Sequence, residues 1–303
     1  GEWLADRLVS IGDTVPTRKE MRNVARKGSP LSASSDVDPF LDERLRVRNL
    51  PVEPTDFVIE NPGTGLEETV NVTLFRNPGE KAGTRGAASE AIKYLNIVTD
   101  GRVMTLAADL SASIGFEQGS FLGDYDPIDT PQGSKIRAAI QEAGSTCTAV
   151  GIISQNASLN PKISNCKWAF NGSYGAFASP MYLAARAGIQ QNQDSPSRMG
   201  VLNVLAGHSG PETALDGRSH FGIFSPNVWD LFPEGQVIRI SPWDHNDVAP
   251  AYFAAAEIAA REPEVGIIAL EAARPDFPVV DRSEFADSDI LAAAKGFYTI
   301  RDF

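Results

Sequence analysis

The chain has 303 residues, enough to bury a sizeable core without disulfide or metal staples, which excludes a small stapled scaffold. Apolar residues make up 42% and charged residues 22%, near globular usage, and the longest apolar runs, Gly266 to Leu270 and Val201 to Ala206, are too short to span a bilayer. There are 27 basic against 39 acidic residues, a net charge of −12, with 9 against 8 in the first fifty positions and 18 against 31 after them. That balance speaks against a nucleic-acid or anionic-membrane surface.

Residues 1–82 are rich in proline and charge, with turn signals at Asn61-Pro62-Gly63 and Asn77-Pro78-Gly79. One short helical stretch near the start and one strand, Asp56 to Glu60, are expected there, making the segment an irregular N-terminal arm or linker. From Thr84 the pattern changes. Thr84 to Ile97 has helical apolar spacing, Arg102 to Ala107 reads as a buried strand, and Ser134 to Ala143 as a helix. Further on, Met181 to Ile189 reads as helix, and Gly200 to Ala206, Gln236 to Ile240 and Val265 to Leu270 read as strands. Between the last two lies an alanine-rich helix, Asp247 to Arg261, capped by Asp244. Alternation of this kind predicts an α/β fold with a doubly wound, mostly parallel sheet, whose ligands sit beyond the carboxyl ends of the strands. That rule directs attention to Asp109 and to the segment starting at Gly207.

The two cysteines, Cys147 and Cys166, read as free or buried thiols rather than a disulfide, which fits a cytoplasmic compartment. Three glycosylation-type triplets, at Asn71, Asn156 and Asn171, have no secretory signal before them and carry no weight. The first residue is Gly1 rather than methionine, consistent with a piece of something longer.

Two of the three histidines, His208 and His220, flank Asp216 directly after a predicted buried strand. A zinc site is a poor reading because Pro211 and Gly217 break any helix that would align the ligands. Gly207-His208-Ser209-Gly210-Pro211 has the outline of a nucleophile elbow, but Pro211 spoils the strained turn and its oxyanion donor. The plain alternative is a polar loop whose histidines satisfy backbone groups.

This loop resembles that of the transketolase family, where a His is followed eight positions later by Asp and four beyond that by a second His within Asp-Gly-x-Thr-His. The matching residues are His208, Asp216 and His220, in Asp216-Gly217-Arg218-Ser219-His220. Thr84-Arg85-Gly-Ala-Ala-Ser-Glu-Ala-Ile92 is similar to the family's Thr-Arg helix, Ala108-Asp109-Leu110-Ser111-Ala112-Ser113 to its Ala-Asp-Leu-x-x-Ser turn, and Pro242-Trp243-Asp244-His245-Asn246-Asp247 to its Pro-x-Asp-x-Asn-Glu. The resemblance implies a pyrimidine-binding domain of a thiamine diphosphate enzyme over residues 83–280. It also implies that 281–303 is a linker toward a carboxy-terminal domain outside this sequence.

Thiamine chemistry needs a carboxyl group on the aminopyrimidine ring, and the resemblance offers two placements. Gly151-Ile152-Ile153-Ser154-Gln155 puts Ser154 where the acid belongs. Glu142-Ala-Gly144 followed by Gly151-Ile152 keeps the acid at Glu142 and is the better fit. The second placement makes Thr148 to Ile153 helical, where residue pattern alone reads a strand. The resemblance further implies that Asp109 and Phe177 frame and stack on the cofactor, although Tyr174, Phe177 and Tyr182 match the family's aromatic run only loosely. It implies that Arg85 and Ser113 hold the donor's far end, and that His208, Asp216 and His220 contact sugar hydroxyls and relay protons.

Two departures stand out. A second phosphate-gripping Arg is expected near Ala269-Leu270-Glu271, where an acid stands instead. The Gly-Asp-Gly…Asn signature that holds Mg²⁺ and the diphosphate does not occur. The implied protein is therefore part of a transferase moving two-carbon ketol units between sugar phosphates. Its thiamine diphosphate and Mg²⁺ would be shared with a diphosphate-binding domain, in a homodimer or heterotetramer, and the metal ligands would lie outside this chain. A homodimeric 2-oxoacid dehydrogenase first component and a degenerate non-catalytic subunit are the alternatives.

Overall fold

The computed structural model describes residues 39–61, 65–107, 111–138, 140–154, 167–173, 179–194, 200–207, 225–262 and 264–301. Helix α1, Thr84–Val98, sets the frame. Ala87, Ala88, Ala91, Ile92 and Leu95 are all buried, so small residues let neighbouring elements approach while Ile92 and Leu95 contribute apolar burial of about 1.5–3 kcal/mol each. The helix stops where the Thr99 hydroxyl and amide both bond to the Leu95 carbonyl, and Asp100 and Gly101 then take left-handed backbone (φ 53° and 72°) to turn into the next strand.

The strands are β1 (Thr55–Glu60), β2 (Glu67–Val72), β3 (Lys81–Ala82), β4 (Val103–Ala107), β5 (Lys135–Ile136), β6 (Trp168–Ser173), β7 (Leu202–Ala206), β8 (Val237–Ile240), β9 (Ile267–Glu271) and β10 (Phe277–Pro278). The other helices are α2 (Ser111–Ile114), α3 (Glu142–Ser154), α4 (Ser179–Asp194) and α5 (His245–Arg261). Six strands form one sheet in the order β5-β4-β6-β7-β9-β8, every pairing parallel. One face packs against α1 and α5 through Leu205, Ile268 and Leu270, and the other against α3 and α4 through Leu106, Val204 and Ala269. This is the doubly wound α/β arrangement that the alternating pattern predicts.

The helix expected over Ser134 to Ala143 does not form as such. Residues Lys135–Ile136 instead pair with β4, the Ser134 carbonyl accepts from Thr105 N at 2.7 Å, and helix begins only at Glu142. Sheet pairing thus overrides a helical spacing that had no cap to support it. Residues 142–154 are helical, as the family resemblance implies and the residue pattern does not.

The irregular segment is anchored over its described part. Phe40 stacks on Trp168 of β6 with centroids 4.0 Å apart and planes at 9°. Tyr94 of α1 donates to the Arg44 carbonyl at 2.8 Å, and Arg46 is buried beside Glu257 at 3.5 Å. The expected strand is present as β1, antiparallel to β2.

Candidate active site

Chain direction fixes where the site lies. From β4 the chain moves outward to β5 and returns on the other side of β4 as β6, so the strand order reverses between β4 and β6. A crevice forms at the carboxyl edge of a parallel sheet where the order reverses. Helices packed on such a sheet run antiparallel to the strands and present their first residues to that edge.

Glu142 is the first residue of α3. The far end of this helix meets the start of β7, where Gly200 N donates to the Ile153 carbonyl at 3.0 Å, so Glu142 stands at the carboxyl edge. The Asn171 amide of β6 donates to Thr146 Oγ1 at 2.8 Å, and that hydroxyl donates to the Glu142 carbonyl at 2.8 Å, fastening the first turn to the sheet. The Glu142 side chain is half-buried, and among the described residues its carboxylate has no hydrogen bond or ion pair. A carboxylate at a helix start is favoured by the peptide dipoles. It is held in place yet available to a ligand. Ser154, the rival placement of the acid, ends the same helix at the opposite edge, where its hydroxyl donates to the Val150 carbonyl at 2.6 Å.

Arg85, second residue of α1, is buried and donates through Nη2 to the carbonyl of Gly207, the residue that follows β7. Gly115 lies against the Arg85 backbone, where a Cβ would come within 2.9 Å of the Arg85 carbonyl oxygen and where its own φ is 85°. The structure therefore brings Arg85 to the start of the histidine segment. Ser113 lies in α2, just beyond β4. His245 Nδ1 is 3.1 Å from the Gly83 carbonyl, tying the start of α5 to the start of α1, and burial holds this imidazole below its usual range. Asp109, Phe177, His208, Asp216 and His220 lie outside the described residues.

The end of β9 carries a cluster that sequence reasoning only partly foresaw. Glu271 is buried, its Oε1 accepts from Trp229 Nε1 at 3.0 Å, and Tyr182 meets the same indole edge-on at 4.5 Å between centroids. Burial pushes the Glu271 carboxyl above the usual carboxylate range, outweighing the Trp229 bond and the Arg239 charge. Trp229 gave no motif-level signal, because a lone tryptophan in a proline-containing loop is more often core. The Pro242 to Asp247 segment, for its part, caps α5: Asp244 accepts from Asn246 N at 2.9 Å and Asp247 accepts from Trp243 N at 2.9 Å.

Among the described residues no group of three or more His, Cys, Asp or Glu side chains is placed to hold a metal ion, and no helix is long and apolar enough to cross a membrane. Cys147 is a free, exposed thiol.

Comparison with solved structures gives the fold a name. The transketolase of Pichia stipitis, solved with sedoheptulose-7-phosphate, matches 100% of this chain and 36% of its own at 17% identity and a TM-score of 0.58. The transketolase of Campylobacter jejuni matches 71% of this chain and 29% of its own at 16% identity and a TM-score of 0.52. The fold is transketolase-like, and the chain spans 29% to 36% of the length of these two proteins. No protein-family model matches the chain, and no curated protein does.

Proposed function

We propose that this chain is the pyrimidine-binding part of a transketolase-like, thiamine diphosphate-dependent transferase that moves two-carbon ketol units between sugars, sugar phosphates being the class its motifs imply. The observation that carries the reading is Glu142: a half-buried side chain at the carboxyl edge of the sheet, on a fastened helical turn, whose carboxylate has no hydrogen bond or ion pair among the described residues. The cofactor supplies carbanion stabilisation when bound. With the cofactor bound, the Glu142 carboxyl would hydrogen-bond the aminopyrimidine ring nitrogen, while Asp109 would frame the ring and Phe177 would stack on it. Arg85 and Ser113 orient the donor, and His208, Asp216 and His220 bind its hydroxyls and move protons. The diphosphate and Mg²⁺ are held by a domain beyond residues 1–303.

A partner domain also accounts for α3. Ala143, Cys147 and Gly151 of this helix are exposed, as are Ile140 before it and Leu183 and Ala187 of α4. We assign this face to the diphosphate-binding domain.

Glu142→Gln in the complete enzyme is expected to slow turnover by roughly 100-fold or more, since proton-transfer groups contribute about 10²–10⁴. The exchange rate of the thiazolium C2 proton, followed by NMR, should fall with it while unfolding temperature without cofactor stays unchanged. Exchange at the wild-type rate would overturn the assignment and favour the non-catalytic subunit.

A further inference from the structure

Among the described residues, one oxygen of Glu271 at the end of β9 and the hydroxyl of Tyr182 in α4 have no hydrogen-bond partner. Glu271 is 6% exposed and Tyr182 1% exposed. Trp229 satisfies one Glu271 oxygen, but Oε2 and the Tyr182 hydroxyl make no hydrogen bond. Other buried atoms of the chain also lack a partner, but these two flank a single indole, that of Trp229, and a buried polar atom without a partner calls for a water, an ion or a ligand group to complete it. The location favours a ligand. Glu271 pairs with Ala206 across the sheet, Ala272 N donates to the Ala206 carbonyl at 3.0 Å, and the next residue, Gly207, is the one Arg85 holds.

The chemistry of the pair selects the ligand. Among the described residues no basic side chain makes a hydrogen bond or ion pair with Glu271 or Tyr182, and the Arg239 charge does not outweigh the burial of Glu271, so a phosphate brought here would meet a buried acid that no paired cation offsets. An uncharged hydroxyl fits, because it donates to one oxygen and accepts from the other group. Burial keeps Glu271 above the usual carboxylate range, which favours the protonated form, able to donate as well as accept.

We propose that Glu271 and Tyr182, braced by Trp229, form a specificity subsite for a free sugar hydroxyl, so that this protein prefers an unphosphorylated ketose donor to its phosphate ester. The identity of the ligand rests on the ketol-transfer reading. The acid standing where the family resemblance implies a second phosphate-gripping arginine then marks a changed substrate class rather than a lost site.

The test compares D-xylulose with D-xylulose 5-phosphate as donors for the complete enzyme, in wild type, Tyr182→Phe and Glu271→Gln. Wild type is expected to favour the free ketose. Tyr182→Phe should lower kcat/KM for D-xylulose by about 10- to 100-fold, mainly through KM, and leave the ester nearly unaffected. Thermal unfolding of Tyr182→Phe should not fall, since only an unpartnered hydroxyl is removed. Ketol transfer that favours the ester, with a preference neither variant moves, overturns the subsite and leaves the ketol-transfer reading intact. Absence of turnover with either sugar, together with calorimetric binding of D-xylulose that Tyr182→Phe weakens, overturns the ketol-transfer reading and supports the subsite. Binding that neither variant changes assigns the two atoms to ordered water and overturns the subsite.

Discussion

The start of α5 and the end of β9 are both buried, both polar and both near the carboxyl edge of the sheet, yet they are built differently. At the start of α5, Arg282 Nη2 reaches Asp244 Oδ1 and Asp247 Oδ1 at 2.7 Å each, and all three side chains are buried. Val280 N donates to the second Asp244 oxygen at 3.1 Å and the Tyr298 hydroxyl to Asp247 at 3.3 Å. The Tyr298 ring covers the guanidinium at 5.2 Å, and Phe285 stacks between Trp243 and Tyr298. Burial and the Asp247 carboxylate push the Tyr298 phenol up to about 12. The carboxylates here are spoken for, and they fasten residues 279–301 to the fold. At β9, an acid of similar burial has one indole partner and an idle oxygen. At α5 every carboxylate oxygen is used inside the fold, although Arg282 Nε and Nη1 make no hydrogen bond, whereas at β9 a carboxylate oxygen itself is left over, which is tolerated where something else is to bind.

The largest effect that separates the two is expected from Arg282→Ala. Removing the cation leaves two buried carboxylates facing each other, and breaking a buried pair of this kind costs about 3–5 kcal/mol. Urea unfolding monitored by far-UV circular dichroism reads it directly. A loss below about 1 kcal/mol, the range of exposed ion pairs, would place the α5 clamp in solvent and remove the contrast.

Asn171→Ala sharpens the comparison from the side of the site. It removes the donor to Thr146 and leaves buried polar atoms short of a partner, which costs about 1–3 kcal/mol. Because that bond fastens the turn carrying Glu142, kcat of the complete enzyme should fall while the unfolding slope in urea stays the same. Unchanged kcat with reduced stability would make Asn171 a packing residue with no hold on the site.

Most of this fold was legible in the sequence. Strands β4, β7, β8 and β9 and helices α1, α4 and α5 follow apolar runs or helical spacing, and Asp244 announces its own cap. The central strand β6 was not legible. Its Asn171 and Gly172 interrupt the apolar run, for reasons that only the tertiary structure supplies: Asn171 fastens α3, and a Cβ at Gly172 would come within 2.2 Å of Ile114 Cγ2. Strands β5 and β10 are two residues long and exist only through their pairing. At the candidate site, Glu142 and Arg85 come from the family resemblance. The Glu271, Trp229 and Tyr182 cluster was not, because residues so far apart in sequence meet only when β9 and α4 share one face of the sheet.

The smallest expected effect, and the most direct reading of the contrast, is the pH dependence of stability in Glu271→Gln. Burial raises the Glu271 carboxyl above its ordinary value of 4.5. Between that value and the raised one, the native protein holds a proton that the unfolded chain has released, so stability present below pH 4.5 is lost as pH rises through the folded value. Glutamine does not titrate. The variant and wild type should therefore unfold alike in acid, and the variant should gain relative to wild type as pH rises. His245 supplies an internal reference of the opposite sign: burial lowers its imidazole below 6.5, so both proteins lose stability as pH falls below that point, and this loss cancels in the difference. Differential scanning calorimetry across this range measures the gap. A gap that moves the other way, with wild type gaining on the variant as pH rises, would mean that Glu271 is ionised and paired in the native state. The end of β9 would then be a second structural clamp like the one at α5, with no oxygen left over for a sugar.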